Sequence, residues 1–108
     1  MSKAITSDAR GVHVSGEMTI FSAAELKQPL LAALKPKKGR TGAPDLDLAE
    51  VTEFDTAGLQ LLLLARQQAT RAGRELRVGA ASVAVREALA LCGAVGLLAD
   101  APAGEIVL

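Results

Sequence analysis

Three short segments alternate apolar and polar residues with a period of two, and this pattern constrains the fold more than any other feature. They are GVHVSG at 11–16, DLDL at 45–48 and ELRVGA at 75–80. In a strand, such alternation places the apolar side chains on one side and the polar side chains on the other. A parallel sheet covered on both faces would show unbroken apolar runs instead. We therefore expect an open sheet with its helices gathered on one face.

A weaker strand is predicted at about 3–6, paired across the turn at 7–11 with the strand that contains Val12. The terminal EIVL at 105–108 could add one edge strand. The expected fold class is therefore α/β: an open mixed β-sheet of four to five strands with three or more helices packed on one face. A length of 108 residues suits one domain over 1–108 with a single modest core.

The first helical pattern begins at Ser22, and Glu25 three residues later completes the sequence signature of a capping box. Pro29 lies inside the pattern, which predicts either a kink there or a looser first turn. The residues that would form the buried face are Leu26, Leu30, Ala33 and Leu34.

Two further helices are predicted later in the chain. One runs from about 57 to 72 and ends at Gly73, and the other begins at Ser82 and ends at Gly93. Before the DLDL strand, KPKKGRTGAP at 35–44 combines two prolines, two glycines and four basic residues. We interpret it as a solvated loop rather than a phosphate-binding patch, because no aromatic residue interleaves with its basic side chains.

Composition excludes several functional classes. Twelve basic and twelve acidic residues give no net charge, and the only aromatic residues are two Phe, so nucleic-acid binding is not expected. One cysteine cannot form an internal disulfide, which favours a reducing compartment. The polar start MSKAITSDAR has no signal-peptide pattern, and the apolar stretch at 59–65 is far shorter than the ~20 residues that span a bilayer. We therefore expect a cytoplasmic protein without direct membrane insertion.

The side chains that are candidates for metal binding or catalysis are scattered along the sequence and do not form groups. His13 has no Cys, His or carboxylate at ligand spacing, so a metal site is not expected. Cys92 falls on an apolar helix face and is interpreted as a small buried residue rather than a nucleophile. Glu50, Glu53 and Asp55 lie on an irregular connection, which is weak evidence for acid–base chemistry. We expect neither enzymatic activity nor a cofactor.

The segment D-T-A-G at 55–58 stands where the second helix begins and admits two interpretations. In the first, Asp55 or Thr56 caps the helix, and Gly58 allows close approach to a neighbour. In the second, Thr56, Ala57 and Gly58 form a low ridge that a partner contacts, and the threonine hydroxyl lies near the positive end of the helix dipole, where a phosphate can be accepted. The residues alone leave both open.

Three segments together resemble the STAS domain family, whose best-known members are the bacterial anti-sigma-factor antagonists. They are GEMTIFSAAEL at 16–26, DLAEVTEFDTAGL at 47–59 and SVAVREALALCG at 82–93. The most specific part is the D-[S/T]-x-G block. The resemblance implies a mixed sheet with helices on one face. It also implies that Thr56, directly after the aspartate, is phosphorylated by an anti-sigma factor that is itself a serine/threonine kinase, and that phosphorylation releases this partner.

The resemblance further places the partner-binding surface at the start of the second helix. The residues that it implies for this surface are Asp55, Thr56, Ala57, Gly58, Gln60 and Thr19. Asp47 fits the family's strand-end acidic position, with a structural role. Thr19 stands where many phospho-switching members carry an acidic residue. Because of this difference, the resemblance does not decide whether Thr56 receives a phosphate.

A threonine at position 56 is similar to that of STAS proteins outside sigma regulation. One group is the small cytoplasmic subunit of a phospholipid-trafficking ABC transporter, which grips the ATPase with the same helix edge, and another is associated with chemotaxis kinases. The expectation is therefore a regulatory protein-binding module that switches partners through phosphorylation of Thr56. The alternative is an accessory subunit that binds without phosphorylation.

Overall fold

The computed structural model describes residues 4–8, 11–35 and 45–98, and within them a four-stranded sheet carries three α-helices. The strands are β1 (Ile5–Asp8), β2 (Gly11–Met18), β3 (Asp45–Phe54) and β4 (Arg77–Ala81). The helices are α1 (Ala23–Ala33), α2 (Thr56–Arg71), α3 (Val83–Leu91) and a 3-10 turn at Val95–Leu97. The strand order is β1-β2-β3-β4, with β1 antiparallel to β2 and the other two pairs parallel. The predicted α/β class with an open mixed sheet is confirmed.

The core lies between one face of the sheet and the helices, as the period-two alternation predicts. Val12 and Val14 of β2 and Leu46 and Leu48 of β3 are buried in a single apolar cluster. The helices contribute to the same cluster through Leu26, Leu30, Leu59, Leu62, Val85 and Leu89. The opposite face of the sheet carries polar side chains such as His13, which is half-buried.

Strand β3 is longer than the DLDL segment predicts, because it continues through EVTEF to Phe54. Val51 is buried there and continues the core face. Irregular register between β2 and β3, at His13–Ser15 and at Gly16–Glu17, accommodates the break in alternation after Leu48. Glu50 and Glu53 therefore lie on a strand and not on an irregular connection.

Three other predictions concern the two ends of the chain and the basic loop. Strand β1 occupies Ile5–Asp8 rather than about 3–6, and it pairs with β2 as predicted, with Ile5 opposite Val14. Most of KPKKGRTGAP and all of EIVL lie outside the described residues. Leu98 forms an isolated parallel bridge with Val78 of β4.

The capping-box prediction for α1 is wrong. Ser22 has a helical backbone conformation and makes no side-chain cap. Its hydroxyl instead accepts a hydrogen bond from the Thr19 backbone N–H (3.0 Å) and donates one to the Glu17 carbonyl (2.9 Å). The serine thus closes the loop that precedes the helix, while α1 itself continues through Pro29.

The other two helices begin and end close to the predicted residues. Gly73, with φ +72°, follows the end of α2 in the left-handed region that favours glycine. The Ser82 hydroxyl caps α3 by accepting from the Val85 N–H at 3.3 Å. The burial predicted for Cys92 is wrong, because α3 ends at Leu91 and the cysteine beyond it is exposed.

His13 has two carboxylates beside it that the linear sequence does not reveal. Strand pairing places its Nε2 3.3 Å from Asp8 Oδ2 and its Nδ1 3.3 Å from Asp47 Oδ2. The Asp47 carboxylate also accepts from the Ala49 N–H at 2.8 Å, near the start of β3 and not at the end of a strand. Across residues 4–8, 11–35 and 45–98, no group of three His, Cys, Asp or Glu is arranged to hold a metal ion. Within the same ranges no helix is both long and apolar enough to cross a membrane.

Candidate partner-binding site

The start of α2 lies against the loop between β2 and α1 because the parallel strands β2 and β3 end side by side. Met18, the last residue of β2, is opposite Phe54, the last residue of β3. The Asp55 N–H donates to the Met18 carbonyl at 3.3 Å. The carboxyl end of the sheet thus brings residues 19–22 next to D-T-A-G.

The carboxylate of Asp55 joins these two segments. Its Oδ1 accepts from the backbone N–H groups of Ala57 (2.8 Å) and Gly58 (3.4 Å), which makes Asp55 the N-cap of α2. Its Oδ2 accepts from the Ile20 N–H at 3.0 Å. The Ile20 N–H is the main reason that the pKa of Asp55 is lowered; desolvation opposes it, and the N–H groups of Ala57 and Gly58 assist it. Asp55 is therefore ionised at neutral pH.

Gly58 is required by close packing inside the chain. It is buried, and a Cβ added there would overlap the carbonyl oxygen of Met18 and lie 2.9 Å from Phe54 Cε2. This agrees with the interpretation in which Gly58 allows close approach to a neighbour, and the neighbour is the end of the sheet. The expectation that Gly58 contributes to an exposed contact ridge does not fit its burial.

Thr56 is the first residue of α2 and is exposed. Its hydroxyl has no hydrogen-bond partner among the described residues. The capping bonds of α2 are made by Asp55 instead. Gln60 is exposed one turn later on the same side of the helix, and Ala57 is half-buried. The first turn of α2 itself has no acidic residue, and the ionised carboxylate of its N-cap, Asp55, offsets the positive end of the helix dipole. Thr56 thus offers an accessible hydroxyl at that end.

Thr19 offers little surface to a partner, which the sequence-based expectation did not anticipate. It is 8% exposed. Its hydroxyl donates to Glu17 Oε1 (3.2 Å) and accepts from the Phe21 N–H (3.3 Å), so it holds the loop in place. The hydroxyl is therefore engaged within the loop.

The surface beside Asp55 is formed instead by Ile20 and Phe21, which are 72% and 89% exposed. Neither residue belongs to the site predicted from the sequence. The signal was present: two large apolar residues in succession, after the last alternating strand position and before the first helical one, have no place on either buried face.

A shallow groove of about 490 Å³ runs from this loop past the end of β3 to α3, and we call it the α3 groove. Its lining residues are Glu17, Thr19, Phe21, Glu53, Phe54, Asp55, Ala84, Glu87, Ala88 and Leu91. Among these residues, Leu91 of α3 is 89% exposed. The groove places apolar surface from two segments next to the start of α2.

The family model described as "Mlab, STAS domain" matches residues 1–99. This chain belongs to the STAS domain family. Among solved structures, the STAS domain is similar to that of the anti-sigma factor antagonist SpoIIAA in its unphosphorylated form, with a TM-score of 0.66. The match has 15% sequence identity and covers 94% of this chain and 89% of that chain, so it supports the fold. No curated protein sequence matches this STAS domain.

Within this STAS domain the D-T-A-G motif has an inward half and an outward half. The Asp55 side chain bonds to the loop after β2 and Gly58 packs against the end of the sheet, whereas Thr56 faces outward with Gln60 behind it. The geometry therefore brings the predicted site residues together around one exposed hydroxyl, except that Thr19 and Gly58 act from inside.

Proposed function

We propose that this STAS domain is a regulatory protein-binding module of the anti-sigma-factor-antagonist type, which contacts its partner around Thr56 and releases it when Thr56 is phosphorylated. The observation that carries the proposal is the exposed Thr56 hydroxyl on a helix start fixed by Asp55 and Gly58. A rigid, accessible hydroxyl suits both a close contact and a kinase. The partner is an anti-sigma factor that acts as a serine/threonine kinase.

Phosphorylation of Thr56 releases the partner because it adds negative charge at a site that has few groups to neutralise it. A phosphothreonine carries about −1.5 to −2 charges. Two backbone donors of the first turn, the N–H groups of Ala57 and Gly58, already bond to the Asp55 carboxylate, which is itself negative. The phosphate therefore meets repulsion from Asp55 and desolvation by the partner. Each ~1.4 kcal/mol of this penalty weakens binding about tenfold.

A second candidate is an accessory subunit of a phospholipid-trafficking ABC transporter or of a chemotaxis-type kinase pathway, which binds its partner without phosphorylation. Thr19 favours it, because a buried hydroxyl replaces the acidic group that accompanies phospho-switching and is engaged by Glu17 and Phe21. Thr56 would then be the central contact in a constitutive complex. Charge at position 56 would still break the complex.

Affinity capture from the native host tests both candidates. Wild type, Thr56→Ser and Thr56→Glu serve as baits, and Thr70→Glu is the matched control, since Thr70 is an exposed threonine at the other end of α2. We expect Thr56→Glu to lose the partner by at least about tenfold, and the other baits to retain it. Retention by Thr56→Glu would contradict both candidates.

The captured partner then separates the two candidates. A kinase partner that places phosphate on Thr56 in the presence of ATP, located by mass spectrometry and absent in Thr56→Ala, supports the antagonist. An ATPase partner and no phosphate on Thr56 from native cells support the accessory subunit and contradict the antagonist.

A further inference from the structure

The α3 groove combines exposed apolar side chains with a one-sided charge. Phe21 on the loop after β2 and Leu91 at the end of α3 are both 89% exposed and both line it. Large apolar side chains grouped at one surface site indicate a contact surface, whereas isolated ones do not. Val83 on the same helix is 70% exposed but does not line the groove, so exposure alone does not define this surface.

The shape of the groove along α3 suits a helix. Ala84, Glu87, Ala88 and Leu91 have the spacing i, i+3, i+4, i+7 and form one stripe of α3. Alanines at 84 and 88 leave room for a second helix to approach, and Phe21 and Leu91 provide exposed apolar contacts. An amphipathic helix that lays its apolar face into such a groove is a recurring mode of recognition.

The charge of the groove indicates which side chains surround the apolar face of that helix. Four of the lining residues are acidic, namely Glu17, Glu53, Asp55 and Glu87, and none is basic, although the whole chain has no net charge. Within the described residues, Glu53 and Glu87 form no ion pair with a basic side chain. Carboxylates at the rim of an apolar contact select a partner with basic side chains around its apolar face.

We propose that the α3 groove docks a basic amphipathic helix of the partner protein, with the helix's apolar side chains between Phe21 and Leu91 and its lysines or arginines facing Glu53 and Glu87. This inference rests on the proposed function, because the groove opens beside Asp55 and extends the contact around Thr56. It adds the chemistry of the partner segment, which Thr56 alone does not specify.

A synthetic peptide of about 18 residues provides the probe, since isolated helices shorter than about 12–15 residues are marginal in water. It carries leucines on one helical face and lysines on the other, and a matched peptide has glutamate in place of lysine. Fluorescence anisotropy measures the binding of each labelled peptide to the full chain. We expect the lysine peptide to bind at least about tenfold more tightly than the glutamate peptide, by a margin that salt reduces.

Variants locate the binding site. Leu91→Ser and the double variant Glu53→Gln/Glu87→Gln should each weaken lysine-peptide binding by about tenfold. The matched controls Val83→Ser and Glu50→Gln should not change it, because these exposed residues lie on the same helix and strand but outside the groove. All five positions are on the surface, and circular dichroism checks that each variant is folded.

Several outcomes would overturn the docking proposal: no binding of the lysine peptide, equal binding of both peptides, or equal effects of Leu91→Ser and Val83→Ser. A dimer in sedimentation that Leu91→Ser abolishes would assign the groove to a second copy and also overturn it. The peptide measurement involves neither ATP nor Thr56. Failure of phosphorylation or of partner capture therefore counts against the proposed function, and failure of peptide binding counts against the docking helix.

Discussion

The backbone N–H of Ile20 donates a hydrogen bond to the carboxylate of Asp55 at 3.0 Å, across 35 residues of sequence. The same carboxylate caps α2 through Ala57 and Gly58. One side chain therefore sets the distance between the helix that presents Thr56 and the loop that presents Ile20 and Phe21. The candidate site is a composite of two segments, and its geometry depends on this bridge.

Replacement of Asp55 by Asn should make stability less dependent on acid pH. The folded-state pKa of Asp55 is lowered, so its ionised form stabilises the fold above the unfolded-state pKa, ordinarily 3.8, and this contribution is lost as pH falls through the folded-state pKa. Asn has one acceptor oxygen, which serves either the N–H groups of Ala57 and Gly58 or that of Ile20, so its NH2 donor faces the other. We expect Asp55→Asn to unfold at lower urea than wild type near neutral pH, with a gap that narrows below about pH 4.

Urea titrations of both proteins across this pH range measure the gap, and the other carboxylates cancel in the comparison. A carboxyl carbon titration by NMR locates the Asp55 transition directly. A gap that is constant with pH, or an Asp55 transition at or above 3.8, would contradict the prediction.

Substitution of Gly58 by Ala should destabilise the fold by about 1–3 kcal/mol, because the new Cβ overlaps the Met18 carbonyl oxygen and crowds Phe54. Gly79→Ala is the matched control, since nothing lies within 4 Å of the added Cβ on β4. Urea unfolding should place the control within about 0.5 kcal/mol of wild type. Equal effects of the two substitutions would show that helix and sheet separate easily at this point.

The sequence predicted the sheet, the helices and the position of Thr56 because these follow from patterns within short segments. Val12, Val14, Leu46 and Leu48 alternate and are buried, as expected. The role of Ser22 does not follow from the sequence. A capping box is a local pattern, whereas the Ser22 hydroxyl bonds to the preceding loop.

Contacts between distant segments were beyond the sequence patterns. The carboxylates beside His13 come from two neighbouring strands, and the burial of Thr19 depends on how its loop folds back toward Phe21. Leu91 fits a helical pattern but lies on the outward side of α3, which only the packing of the helix decides. For this reason the α3 groove could not be assembled from spacing alone.

Thr19→Val should cost about 1 kcal/mol of folding free energy and loosen the loop after β2. Valine keeps the shape but removes the hydroxyl that donates to Glu17 and accepts from the Phe21 N–H. Hydrogen exchange at the Phe21 amide should accelerate relative to wild type. Thr52→Val, at an exposed position of β3, is the control and should leave that amide unchanged. Unchanged exchange in Thr19→Val would show that the loop holds its form without the hydroxyl.

Thr56→Ala should change the free energy of unfolding by less than about 0.5 kcal/mol, because Asp55 already caps the helix and the threonine side chain is exposed. Urea unfolding measures this difference. A loss above about 1 kcal/mol would mean that the Thr56 hydroxyl caps α2 in solution. A small difference makes Thr56→Ala a clean reagent, since any loss of partner binding then reports contact rather than folding.

The inward-facing pair Asp55 and Gly58 has a consequence for how domains of this kind diversify. Both residues serve the joint between helix and sheet, so drift at either one is opposed by the stability of the chain whatever the partner is. Positions 20, 21 and 91 are under no such restraint, because their side chains lie largely in solvent. A lineage can therefore change these apolar side chains, and with them the exposed surface, while D-x-x-G stays intact.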